Sequence, residues 1–215
     1  MKKVKRLFLI CLCMVMALCL FTACGESAEE KMAKLCGTWT MTEAEDEELT
    51  EQILTNCDFY EEEIALANLT SLNFVQLVEF KEDGTYSYVY DIEATKAEAR
   101  TFFKGVFDAL YENRADIDKL YSDNLTDMSK DDFFAFYAKL YSHDTYDDLI
   151  FALADGAYTY DDMATPWEIG TFVIEDDLIM CTVDGKTEAE GMGYKIKDDT
   201  LTLTYTNGTE VYTRK

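Results

Sequence analysis

A single histidine, His143, limits the acid–base chemistry open to this chain of 215 residues. Any Ser-His-Asp or Cys-His arrangement must use it. Ser142 and Asp144 flank it near the expected end of a helix, where consecutive side chains point in different directions, so adjacency does not make a triad. A histidine at such a place more often meets the helix dipole and solvent. Carboxylates are too abundant to point anywhere: 43 acidic residues put many pairs near glycosidase spacing by chance. The sequence holds no G-x-S-x-G, H-E-x-x-H, C-x-x-C, glycine-rich phosphate loop or EF-hand loop. No catalytic residue, metal site or cofactor is expected, and the chain reads as a non-enzyme.

The cysteine with the most telling neighbours is Cys24. Lys2, Lys3, Lys5 and Arg6 precede an uncharged apolar run from Leu7 to Phe21, which Thr22-Ala23-Cys24-Gly25 closes. Three readings compete. An uncleaved membrane helix needs about 20 apolar residues, and Leu7 to Phe21 is short unless Thr22 to Gly25 extend it. Ordinary secretory cleavage after Ala23 wants a small residue where Phe21 stands. The third reading comes from Leu20-Phe21-Thr22-Ala23-Cys24-Gly25, which resembles the lipobox of bacterial lipoproteins, where small residues precede a cysteine. That resemblance implies removal of residues 1–23 and a diacylglycerol on Cys24, which gives more than the marginal hold of one acyl chain. The expectation is a lipid anchor at Cys24 on the cell membrane, facing outside the cytoplasm.

Loss of the four basic residues takes the formal net charge from −24 to −28. Such a charge repels nucleic acid, so no nucleic-acid partner is expected. It suits a soluble face at a crowded surface. Cys11, Cys13 and Cys19 leave with the signal, and the rest of the chain keeps Cys36, Cys57 and Cys181. Three thiols permit one disulfide and one free thiol, or three buried thiols.

Positioning elements follow from the hydrophobic period. Residues 24–34 read as a lipidated cysteine and tether, and residues 35–215 as the folded domain. Leu35 to Met41 reads as a strand, and Leu49 to Leu69 as one or two short helices. Leu72 to Phe80 and Thr85 to Ile92 flank Asp83-Gly84, a hairpin signal. From Thr95 to about Ala154 the period lengthens to that of a helix, and Thr95 with Glu98, Ser129 with Asp132 and Thr145 with Asp148 mark helix starts. Phe103, Val106, Phe107, Leu110 and Tyr111 form one apolar face, and Phe133, Phe136, Tyr137, Leu140 and Tyr141 another. After Pro166 five strands return: Trp167 to Ile174, Leu178 to Val183, Thr187 to Ile196, Thr200 to Tyr205 and Thr209 to Thr213. Asn207-Gly208 is read as a type I′ turn.

Eight antiparallel strands joined by tight turns can close a barrel that either fills with side chains or holds one ligand. Gly37-Thr38-Trp39 resembles the G-x-W signature of lipocalins, and Phe80 to Tyr86 and Tyr194 to Leu203 look like segments of bacterial lipocalin-like lipoproteins. The resemblance implies an α+β fold, mainly an eight-stranded barrel with Trp39 at its base. The helical block, residues 95–155, departs from the family as an insertion between strands 3 and 4. Two functions fit. The barrel is a binding module for a small apolar ligand, with Trp39 at the base and Phe103, Phe107 and Tyr111 near the mouth; or it is filled, and the acidic, aromatic helical insertion docks an envelope or secreted protein. The size of inward-facing side chains separates them, and Phe74, Phe80, Tyr86, Tyr88 and Phe172 are large, but the strand register decides which of them face in.

Overall fold

The structure, a computed structural model, describes residues 26–45, 47–56, 71–121, 125–158 and 160–215. The signal segment, Cys24, Cys57 and the second half of the Leu49–Leu69 segment lie outside the described residues. Eight strands pair each with its sequence neighbour, and the first pairs with the last, so the sheet closes into an antiparallel barrel. They are β1 (Gly37–Ala44), β2 (Asn73–Phe80), β3 (Thr85–Tyr90), β4 (Glu168–Glu175), β5 (Leu178–Val183), β6 (Glu190–Lys197), β7 (Thr200–Thr204) and β8 (Thr209–Arg214). The helices are α1 (Ala28–Leu35), α2 (Glu47–Asn56), α3 (Ile92–Tyr121), α4 (Lys130–Leu140), α5 (Tyr146–Gly156) and α6 (Tyr160–Met163). With α3 to α6 between β3 and β4, the chain is an α+β fold. Among the described residues no helix is long and apolar enough to cross a membrane.

The meander gives the barrel two different ends. At the base, tight turns join β2 to β3, β4 to β5 and β6 to β7, and two of these place Asp176 and Asp198 at φ 54° and 53°. Short polar side chains tolerate that left-handed geometry, which explains aspartate in both turns. At the other end, the mouth, lie the long β1–β2 and β3–β4 connections and the loops into β6 and β8. Between Thr204 and Thr209, which pair, four residues remain, and Tyr205 N–H donates to Gly208 O at 2.8 Å. Neither Asn207 nor Gly208 has positive φ. The type I′ expectation is corrected: that turn needs positive φ at both of its central residues.

Pleating sends alternate residues inward. The inward set holds Trp39, Val78, Phe80, Tyr86, Tyr88, Phe172, Ile179, Cys181, Met192, Leu201, Leu203 and Tyr212, all buried. Trp39 closes the base. Its indole N–H donates to Leu35 O at 2.8 Å, and the Arg214 guanidinium lies 4.0 Å from the ring centroid. Arg214 also donates to Cys36 O at 3.1 Å, which ties the end of β8 to the start of β1. To fit beneath it, Gly37 adopts φ 132°, and a Cβ there would stand 2.7 Å from Arg214 Nη1. Glycine is required at this position. The segment read as a tether contains α1: Ser27 Oγ accepts from Glu30 N–H and Glu30 Oε2 from Ser27 N–H, a reciprocal capping box, and Lys31 bonds Asp177 at 3.0 Å.

The helices build a second apolar cluster, separate from the barrel interior. Ser129 and Thr145 cap α4 and α5 as expected, accepting from Asp132 and Asp148 N–H. Thr95 does not cap. Asp91 Oδ1 accepts from Ala94 N–H at 3.1 Å and starts α3, and Thr95 lies inside the helix, wholly buried. Its hydroxyl instead accepts from Val75 N–H of β2 at 3.0 Å, which pins the helix to the outer face of the barrel. A buried strand N–H needs an acceptor, and that demand outweighs the cap.

Candidate ligand cavity at the barrel mouth

The base half of the barrel is filled by Trp39, Phe80, Phe172, Ile179 and Leu201, whereas the mouth half encloses a cavity of about 500 Å³. Small-ligand sites span about 300–1,000 Å³. The inward phase of each strand supplies the walls: Tyr86 and Tyr88 from β3, Glu168 from β4, Cys181 and Val183 from β5, Glu190 and Met192 from β6, and Glu210 and Tyr212 from β8. Trp167, Tyr205, Thr206 and Asn207 border them, and Gln76 reaches in from β2. Gly170 makes the close β4–β5 approach possible, since a Cβ there would meet Thr182 O at 2.2 Å.

Hydrogen bonds orient the polar groups. Tyr86 OH donates to Glu168 Oε1 at 2.8 Å, Tyr212 OH to Glu210 Oε2 at 2.9 Å, and the hydroxyls of Tyr88 and Tyr205 lie 3.3 Å apart. At the rim the rings of Tyr88 and Trp167 stand 4.9 Å apart, and Trp167 is 51% exposed. Burial drives the shifted titrations of the cavity groups. It raises the Tyr86 phenol, with the Glu168 hydrogen bond adding to it; it raises Tyr88 against the opposing bond from Tyr205; and it raises Tyr205 and Tyr212, each beside Tyr88. Burial, then Glu168, pushes the Cys181 thiol up to about 12. A neutral thiol is a weak nucleophile, so this cysteine is a wall of the cavity and not a reactive thiolate at neutral pH.

The four residues that sequence reading offered for a ligand do not lie together. Trp39 sits at the base, below the cavity. Phe103 and Phe107 are 0% exposed in the helical cluster, and Phe107 meets Tyr137 at 5.6 Å and Tyr146 at 5.5 Å. Tyr111 packs on Phe133 at 5.5 Å and under Arg114 at 4.1 Å. None of the four lines the mouth cavity. His143 follows α4, past a helix end closed by Ser142 at φ 64°, and its N–H donates to Ala138 O at 2.7 Å. Cys36 and Cys181 are free thiols.

Sequence reasoning missed the carboxylates of the cavity. A signal was present: Glu168 shares the phase of Phe172, Glu190 that of Met192 and Glu210 that of Tyr212, and an acid in an apolar phase marks an interior with polar business. The class defined by fold and site is a closed up-and-down barrel with a ligand-sized cavity at one end. No family model, curated protein or solved structure matches the chain.

Proposed function

We propose that this protein is an exported, lipid-anchored binding module of the lipocalin-like kind, which takes a small molecule into the mouth of its barrel without transforming it. The mouth cavity carries the reading: a filled base, a ligand-sized space above it, and walls of aromatic and apolar side chains with a few oriented polar groups. The lipobox-like Leu20–Gly25 segment and the basic start support the anchor. The docking alternative has less to draw on, because Phe103, Phe107 and Phe133 of the insertion are wholly buried, and Phe151 is the large aromatic among its described residues that stands exposed.

The experiment is native mass spectrometry of protein recovered from its own membranes, compared with the denatured mass. A releasable adduct of a few hundred daltons, the size such a cavity holds, is expected. A bare chain contradicts the binding module. Cys24→Ser tests the anchor separately: the expected outcome is soluble or unprocessed protein, and processed protein still in the membrane fraction contradicts lipidation.

A further inference from the structure

We infer that the mouth cavity selects an organic cation, an amine or quaternary ammonium with an apolar body; this rests on the barrel being a binding module. The lining contains three carboxylates, Glu168, Glu190 and Glu210, and no lysine, arginine or histidine. Acids that serve solubility belong on the outward phase of a strand, yet Glu168 and Glu210, both half-buried, and Glu190, exposed at the rim, occupy the inward phase of β4, β8 and β6. None of the ion pairs among the described residues uses them. Glu168 and Glu210 receive phenol hydrogen bonds, which satisfy oxygen lone pairs without cancelling charge. An opposite charge is therefore what the cavity lacks.

Two further observations choose an organic cation over a metal ion. No group of three or more His, Cys, Asp or Glu among the described residues could hold a metal ion, these three carboxylates included. Aromatic rings line the same cavity: Tyr88 and Trp167 are 4.9 Å apart at the rim, and the Tyr205 hydroxyl is 3.3 Å from that of Tyr88. Aromatic faces attract ammonium groups, most strongly where water is excluded. Such a site holds a spread, weakly hydrated cation by its surface, while Met192 and Val183 contact the apolar part. An anion would face three like charges, and a neutral molecule would bring no charge opposite to theirs.

Calorimetric titration of the full protein with hexyltrimethylammonium, hexanol and hexanoate separates the possibilities, since the three probes share one chain. The cation is expected to bind at least about tenfold more tightly than either of the others. Glu168→Gln/Glu210→Gln should erase that preference, whereas Glu82→Gln/Glu175→Gln, equal in charge but at the base end, should keep it. Trp167→Leu, at an exposed position where folding is not at stake, should weaken the cation several-fold. Equal binding of hexanol contradicts the charge selection and leaves the binding module standing. A preference that survives Glu168→Gln/Glu210→Gln contradicts the site. Failure of all three probes contradicts the cation inference, and joined to a bare native mass it contradicts the binding module too.

Discussion

Gly37, Trp39 and Arg214 form the base of the barrel, and each depends on the others. The indole fills the interior and donates to Leu35 O, Arg214 covers its face, and Gly37 leaves the room that Arg214 occupies. Trp39→Ala removes a wholly buried ring, and a loss of about 3–5 kcal/mol is expected by urea denaturation. Gly37→Ala adds a Cβ at positive φ against Arg214, with an expected loss of about 1–3 kcal/mol. A Gly37→Ala protein as stable as the parent would show that the guanidinium is not held there. At the mouth, the residue scale is one of protonation. Burial keeps the four cavity phenols and Cys181 neutral, so the charge of the lining comes from its glutamates.

At the scale of elements, hairpins and insertion were legible in the sequence, and the site was not. Turn residues and the switch from period two to period four located β2–β3, the helical block and all five later strands within a few residues. What fixes the interior is the register between neighbours, and nothing in one strand states it; a shift of one residue exchanges the two faces. The aromatic stripe of Phe103, Phe107 and Tyr111 was legible as a stripe, but its partner was another helix and not the barrel mouth. Thr95 shows the same limit. Its spacing to Glu98 fits a cap, yet the hydroxyl serves a strand N–H 20 residues away in sequence. Thr95→Val should leave the buried Val75 N–H unpaired and cost about 1–3 kcal/mol, whereas Thr95→Ser keeps the acceptor and should cost less. Equal losses in the two variants, measured by urea denaturation, would contradict the hydrogen bond's role in docking α3.

For the whole molecule, the base and mouth halves of the barrel divide the work between them. The base is packed for stability, and the mouth keeps space, phenols and carboxylates. The phenols tie this arrangement to pH. Tyr86, Tyr88, Tyr205 and Tyr212 all lie above the ordinary phenol value of 10.0 in the folded chain, so folding favours their protonated forms. The unfolded chain then releases these protons first, which means that their contribution is fully present below about pH 10 and falls as the pH rises beyond it. The urea midpoint should be steady through neutral pH and drop in the alkaline range, with phenolate absorbance from these tyrosines appearing as the barrel opens. Phenolates formed near pH 10 in a barrel that stays folded would contradict their burial.

Filling the mouth cavity separates a binding module from a barrel that holds nothing. Val183 lines the cavity at the end of β5 and is half-buried, so Val183→Trp places an indole in the space without touching the packed base. Native mass spectra of the parent and Val183→Trp proteins, recovered side by side from the same membranes, should show an adduct of a few hundred daltons on the parent and its loss from the variant. An adduct carried equally by both proteins would place the ligand elsewhere, and a bare parent chain would contradict the binding module itself.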